Sequence, residues 1–127
     1  VYNQGIIGAI FATLSGNSAN NGGAIFSAVA SQATITNTII ADNTPGGDCA
    51  AAGSMSIDSS NNLESGDTCG FNASKRALKS SNPLLGPLQL NLPGRVLPTM
   101  ALLPGSPAIA AATRWPTACC RTGASPW

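Results

Sequence analysis

The side chains able to do chemistry are few and scattered. The chain has no histidine, and its five acids are Asp42, Asp48, Asp58, Glu64 and Asp67. Hydrolysis of a glycosidic bond needs two carboxyl groups facing one another across the scissile bond. A sugar lyase needs calcium-binding acids and a basic residue on one face. Asp42 and Asp48 fall among Asn, Thr, Pro and Gly, where aspartate is favoured for bonding its own backbone. Glu64 and Asp67 flank Gly66, another turn. No Gly-x-Ser-x-Gly nucleophile elbow occurs. A calcium site would need more than Asp42 and Asp48 in one turn, since no dense acidic loop of EF-hand or nonapeptide type is present. Four cysteines without a histidine do not read as a zinc site. The expectation is no catalytic residue, no metal and no cofactor.

Composition bounds the partners. Only 9 % of the 127 residues are charged and the net charge is +1, which supplies no drive toward nucleic acid or an anionic membrane. The six basic residues are scattered, with Lys75, Arg76 and Lys79 the only local group. The scarcity of Glu, Lys and Arg argues against exposed amphipathic helices, and the low net charge against a disordered tail. No apolar run reaches the roughly 18 residues of a membrane span. Ile6 to Leu14 is short, broken by Gly8, and lacks the basic flank and cleavage site of a signal peptide. The chain opens with Val1 as though in mid-element, as a fragment would.

What could position these residues is a repeat. Leu14-Ser15-Gly16-Asn17-Ser18 matches Ile40-Ala41-Asp42-Asn43-Thr44 at an offset of 26, and Gly22-Gly23-Ala24-Ile25 matches Gly46-Gly47-Asp48-Cys49 at an offset of 24. The two-residue difference is expected in the turn at Asn20-Asn21. A fainter third copy runs from Ser54-Met55-Ser56-Ile57-Asp58 to Asn61-Asn62-Leu63. A period in the twenties, with short alternating strands and Asn/Gly turns, is the sequence form of a β-solenoid. In Ala33-Thr34-Ile35-Thr36-Asn37-Thr38-Ile39, the threonines alternate with Ile35, Asn37 and Ile39, which predicts one half-buried strand. Asn17 and Asn43 occupy equivalent positions and are expected to stack as an amide ladder, with Gly22, Gly23, Gly46 and Gly47 forming the turn. Solvated loop asparagines and an antiparallel sandwich are the competing readings. The row Thr34, Thr36 and Thr38 would suit ice only if it continued from coil to coil. Its neighbours are Gly8, Ile10 and Ala12 at an offset of 26 before it and Ser54, Ser56 and Asp58 at an offset of 20 after it, so it does not.

Cys49 and Cys69 lie 20 residues apart, close to one turn of such a repeat. Residues one coil apart stack at about 4.8 Å, within the reach of a disulfide. Pairing would imply an oxidising, extracellular or envelope location. Two buried thiols are the alternative. Neighbouring cysteines rarely bridge one another, so Cys119 and Cys120 read as exposed thiols or intermolecular crosslinks.

Asn20-Asn21-Gly22-Gly23-Ala24-Ile25-Phe26 resembles the GGAI element of polymorphic outer-membrane-protein repeats. From residue 10 to 110, the order Gly46-Gly47-Asp48-Cys49, Cys69-Gly70-Phe71 and Leu102-Leu103-Pro104-Gly105-Ser106-Pro107-Ala108-Ile109 is similar to bacterial right-handed parallel β-helix repeat proteins, often of the choice-of-anchor type. The resemblance implies a secreted or cell-surface protein, structural or adhesive, whose partners are surface glycans or other envelope components. The alternative it leaves is a remnant of a polysaccharide-active lyase or hydrolase with its active residues upstream. The sequence departs from the family at Asn91 to Pro98, at Ala110, and from Trp115 to Trp127, through reading-frame drift or divergence. Only Tyr2, Trp115, Trp127 and three phenylalanines could stack on sugars, and Phe26, following Ala24-Ile25, reads as core.

The expected architecture is therefore all-β, a right-handed parallel β-helix of about three coils over residues 1–72. A Pro/Leu-rich cap follows over 73–112 and an irregular tail over 113–127. Prolines 83, 87, 93, 98, 104 and 107 among leucines predict extended chain covering the last coil. Lys75 to Ser80 reads as a short polar helix. The first coil would expose an apolar, pairing-competent edge, so the chain is expected to self-associate there or to need its upstream coils.

Overall fold

The computed structural model describes residues 1–53, 56–94 and 96–111. The expectations for Ser54 and Met55 and for the tail from 112 to 127, with Trp115, Trp127, Cys119 and Cys120, lie outside the described residues. Among the described residues, eleven short strands occur in chain order: β1 (Tyr2–Asn3), β2 (Ile6–Ile10), β3 (Thr13–Ser15), β4 (Ile25–Ser27), β5 (Gln32–Thr36), β6 (Ile39–Ala41), β7 (Cys49–Ala51), β8 (Ser56–Ser60), β9 (Leu63–Glu64), β10 (Leu85–Gln89) and β11 (Thr99–Leu102). A short helix, α1 (Pro107–Ala111), ends the described chain. Pro107 sits where a helix lacks a partner for its first N–H, and the Ser106 hydroxyl accepts from Ala108 N at 3.2 Å. The fold is all-β with one minor helix.

Three sheets are parallel and three-stranded, in the orders β1-β4-β7, β2-β5-β8 and β3-β6-β9. The chain thus visits the same three sheets in the same order three times. Registers carry the repeat: Ile6 pairs with Gln32 and Thr13 with Ile39, 26 residues on, whereas Gln32 pairs with Ser56 and Ile25 with Cys49, 24 on. Thr44 N still donates to Asn17 O, but Gly22 N donates to Gly46 O. The two extra residues of the first circuit therefore lie between Asn17 and Gly22, around Asn20-Asn21.

Alternation decides what is inside. On β5, Ala33 and Ile35 are buried while Gln32 and Thr34 are exposed. Ile25, Ile35 and Ile40 are fully buried and pack with Ala24, Ala33, Cys49, Cys69 and Phe71. Each buried isoleucine contributes roughly 1.5–3 kcal/mol of apolar transfer.

The alternation expected through Ile39 breaks at Asn37. Its φ is 52°, and Phe11 and Asn61 adopt φ 53° at the equivalent corners of the other circuits. A left-handed residue turns the chain, so the segment is two strands, not one. Thr38 is consequently 1 % exposed, with its hydroxyl 3.1 Å from Ala9 O and 3.0 Å from Thr36 O. The outward row is Thr34 and Thr36 alone, and their third-circuit partners are Asp58 and Ser60 at an offset of 24, not the residues an offset of 20 gives. Phe26 also differs from expectation. It lies on the outer side of β4, between buried Ile25 and Ser27, and stacks on Tyr2 with ring centroids 5.5 Å apart.

The end of the stack differs most. Residues 75–80 are not a helix: a single 3-10 turn spans Ala73–Lys75, Arg76 is left-handed, and Leu78 pairs in parallel with Leu63. Leu78 N donates to Asn62 O and Glu64 N to Leu78 O, at 2.8 Å each. Phe71 and Ala77 are buried behind this segment. In the last coil β9 gains a further partner at Leu78, whereas β7 and β8 have one strand partner each among the described residues, and, contrary to expectation, the Pro/Leu-rich strands do not add to them. β10 and β11 pair with one another instead, antiparallel, leaving Leu88, Leu90, Leu92 and Leu97 exposed.

Candidate functional site

The densest polar arrangement is the corner after β3, β6 and β9, where the glycine turns and the acids meet. Asn43 is 3 % exposed. Its Oδ1 accepts from the backbone N and the side-chain Nδ2 of Asn17, both at 2.9 Å. Its Nδ2 donates to Leu14 O at 3.0 Å and to Asp48 Oδ1 at 2.7 Å. The other carboxylate oxygen of Asp48 accepts from Ser65 Oγ at 3.2 Å and Gly66 N at 3.3 Å. Ser65 Oγ in turn accepts from Asp42 N. A polar seam thus crosses all three circuits, from Asn17 through Asn43 and Asp48 to Ser65.

The glycines make room for it. Gly22 has φ +60°, and a Cβ there would overlap the Ile25 carbonyl. A Cβ on Gly46 would overlap the Asn20 carbonyl. Gly23 and Gly47 press on Asn43 and Thr68 in the same way, each about 3 Å from a would-be Cβ.

Beside the seam, Cys49 and Cys69 are disulfide-bonded, with Cα atoms 4.7 Å apart. The adjoining turn is held by Glu64, which is fully buried. Its Oε1 accepts from Thr68 N at 2.6 Å, Thr68 Oγ1 at 3.0 Å and Cys69 N at 2.9 Å. Thr68 Oγ1 accepts from Cys49 N at 3.0 Å, so Glu64, Thr68 and the disulfide form one unit. Glu64 Oε2 is buried without a hydrogen-bond partner. Asp48 and Glu64 are therefore holders of two successive turns: Asp48 joins Asn43 of its own loop to Ser65 and Gly66 of the next circuit, and Glu64 holds Thr68 and Cys69 of its own loop.

Of the remaining acids, Asp42 is exposed at a left-handed corner, and Asp67 pairs with Lys79 at 2.8 Å on the surface. Lys75 and Arg76 lie exposed in the 3-10 turn and its cap. Among the described residues, no three His, Cys, Asp or Glu side chains are grouped to hold a metal ion, and no helix is long and apolar enough to cross a membrane.

Two further corners rest on residues that sequence reasoning passed over. Asn62, 1 % exposed, accepts from Thr38 N and donates to Ile35 O at 2.7 Å. Asn3 donates to Gln32 O at 3.0 Å and accepts from Gly5 N. The signal for Asn62 was its 24-residue offset from Thr38, which points it at the corner of the preceding circuit. Asn3 has no aligned asparagine to mark it.

Comparison with protein-family models, curated proteins and solved structures finds no match to this chain.

Proposed function

We propose that the chain is a right-handed parallel β-helix of about three coils with a structural or adhesive role outside the cell, at a bacterial surface, and without catalysis. The repeated order of three parallel sheets supports the solenoid. Right-handedness follows from the strong preference of parallel crossover connections. The observation that carries the functional reading is the use made of Asp48 and Glu64. Both are buried, and both accept hydrogen bonds that hold the turns beside the disulfide. The side chains best suited to acid–base work are thereby committed to the fold. The Cys49–Cys69 bond favours an oxidising compartment, and a stack of coils offers a long repetitive surface for glycan or envelope contact.

The test is to make the chain in an oxidising compartment, immobilise it, and pass a panel of cell-surface polysaccharides over it while assaying for new reducing or unsaturated ends. Retention without chain cleavage is the expected result. Cleavage would replace this reading with that of a polysaccharide-active enzyme.

A further inference from the structure

Asparagine has two uses in this chain. Asn3, Asn43 and Asn62 are buried, and each engages backbone groups with both ends of its amide. Asn72 does not. It is exposed on extended backbone, with φ −88° and ψ 120°. Its Oδ1 accepts from Ser74 N at 2.9 Å, while its Nδ2 has no partner among the described residues. Ala73 and Ser74 are exposed beside it. Of the eleven asparagines, Asn72 alone opens an Asn-x-Ser/Thr tripeptide without proline in the middle, the acceptor pattern for an N-linked sugar. Its position in the fold is fixed from both sides. Cys69 is bonded to Cys49, the first residue of β7, and Lys75 O accepts from Asn61 N, just after β8. Seven residues, 69–75, thus run between anchors that thirteen residues, 49–61, connect in the circuit before. The chain cuts across the end of the stack there. Phe71 is buried under this crossing, and Asn72, next along, meets solvent.

We propose that Asn72 is an acceptor for N-linked glycosylation, and that the sugar shields the edges of β7 and β8. The proposal rests on the reading above that the chain works outside the cell. The donor is a sugar activated as a diphosphate ester. The Asn72 amide nitrogen attacks its anomeric carbon, and the new N–C bond forms as the C–O bond to the diphosphate breaks. The diphosphate leaves with that electron pair, and the amide gives one proton to a base of the transferase. Lys75 and Arg76, exposed just after the tripeptide, have the sign of charge that attracts a diphosphate. The value of a sugar at this point lies in what surrounds it. Among the described residues, β7 and β8 each have one strand partner, and an open strand edge is a template for pairing with another chain. A bulky, hydrated group on the crossing between them obstructs that pairing.

The experiment directs the full chain into the secretory lumen of a cell that carries an oligosaccharyl transferase and lipid-diphosphate-linked sugar, and reads the product by intact and peptide mass spectrometry. The expected result is one glycan on the peptide holding Asn72. It should be lost in Asn72→Gln and in Ser74→Ala, which keeps the amide nitrogen, and retained in Ser74→Thr. The same spectra report the Cys49–Cys69 bond. A chain that carries no glycan, bridged or not, overturns the proposal, as does a glycan that persists in Asn72→Gln. A glycan at Asn72 without the Cys49–Cys69 bond supports the site and counts instead against the oxidising compartment. In sedimentation at equal micromolar concentration, the glycosylated chain should be less associated than Asn72→Gln. Equal association of the two overturns the shielding role.

Discussion

Asn17 and Asn43 are the same residue type one circuit apart, joined side chain to side chain, yet their burial separates their worth. Asn43 is 3 % exposed and Asn17 is exposed. Removing the Asn43 amide leaves Asn17 N, Leu14 O and Asp48 Oδ1 short of a partner inside the fold. Asn43→Ala should cost about 3 kcal/mol in chemical denaturation and Asn17→Ala about 0.5 kcal/mol. Equal costs would mean that the ladder is solvated at both rungs. Glu64 permits a sharper comparison, because one oxygen receives three donors while the other has no partner. Glu64→Gln keeps an accepting oxygen and should cost less than half of Glu64→Ala, itself roughly 3 kcal/mol. If Gln proved as damaging as Ala, the turn would need the charge and not the acceptor. The burial of both acids was not legible in the sequence. A turn aspartate reads the same whether its oxygens face water or the next coil, and Glu64 declares itself only once the fold brings Thr68 and Cys69 onto its carboxylate.

At the scale of the strand, what the sequence hides is the corner. Ala33 to Ile39 alternates without interruption, and nothing in that pattern marks where one strand stops. The corner is a backbone event, a left-handed residue at Asn37, repeated at Phe11 and Asn61. Two of these three are asparagine, which tolerates that conformation, and the recurrence of Asn37 at Asn61, an offset of 24, was the readable signal. Phe11 is the exception: a bulky residue at φ 53°, 78 % exposed. Its ring gains little from burial there while its backbone bears strain of about 1 kcal/mol. Phe11→Asn should therefore raise stability by about 1 kcal/mol, measured by urea unfolding at a concentration low enough to keep the chain monomeric. A loss of stability would show that the Phe11 ring contributes more to the corner than its exposure suggests. Ile35, fully buried on the neighbouring strand, sets the opposite limit: Ile35→Ala should cost roughly 2–5 kcal/mol.

At the scale of the molecule, the repeat was legible from residue 14 onward because coil pairing requires like residues at like positions. The termination was not, because a cap needs no repeat. Residues 69–81 end the stack through unlike means: a disulfide, a buried phenylalanine, a 3-10 turn and one parallel bridge. The proline-rich chain after it carries many leucines, and composition alone made it look like the lid. Its prolines cannot donate to a ladder, and the β9 edge is already paired by Leu78. The hairpin of β10 and β11 accordingly bonds to itself, and neither strand packs substantially on the three parallel sheets. This division has a direct consequence for stability. A chain ending after Leu84 retains the three circuits, the seam, the disulfide and the Leu63–Leu78 bridge, and loses only the hairpin, α1 and the C-terminal tail. Its unfolding free energy should match that of the full chain to within about 1 kcal/mol, since little buried area is removed among the described residues. Reduction of Cys49–Cys69, which closes a loop with a sequence separation of 20, should by contrast cost both chains roughly 3 kcal/mol. If truncation cost as much as reduction, the exposed leucines of the hairpin would be stabilising the stack after all, and the end of the fold would lie beyond residue 84.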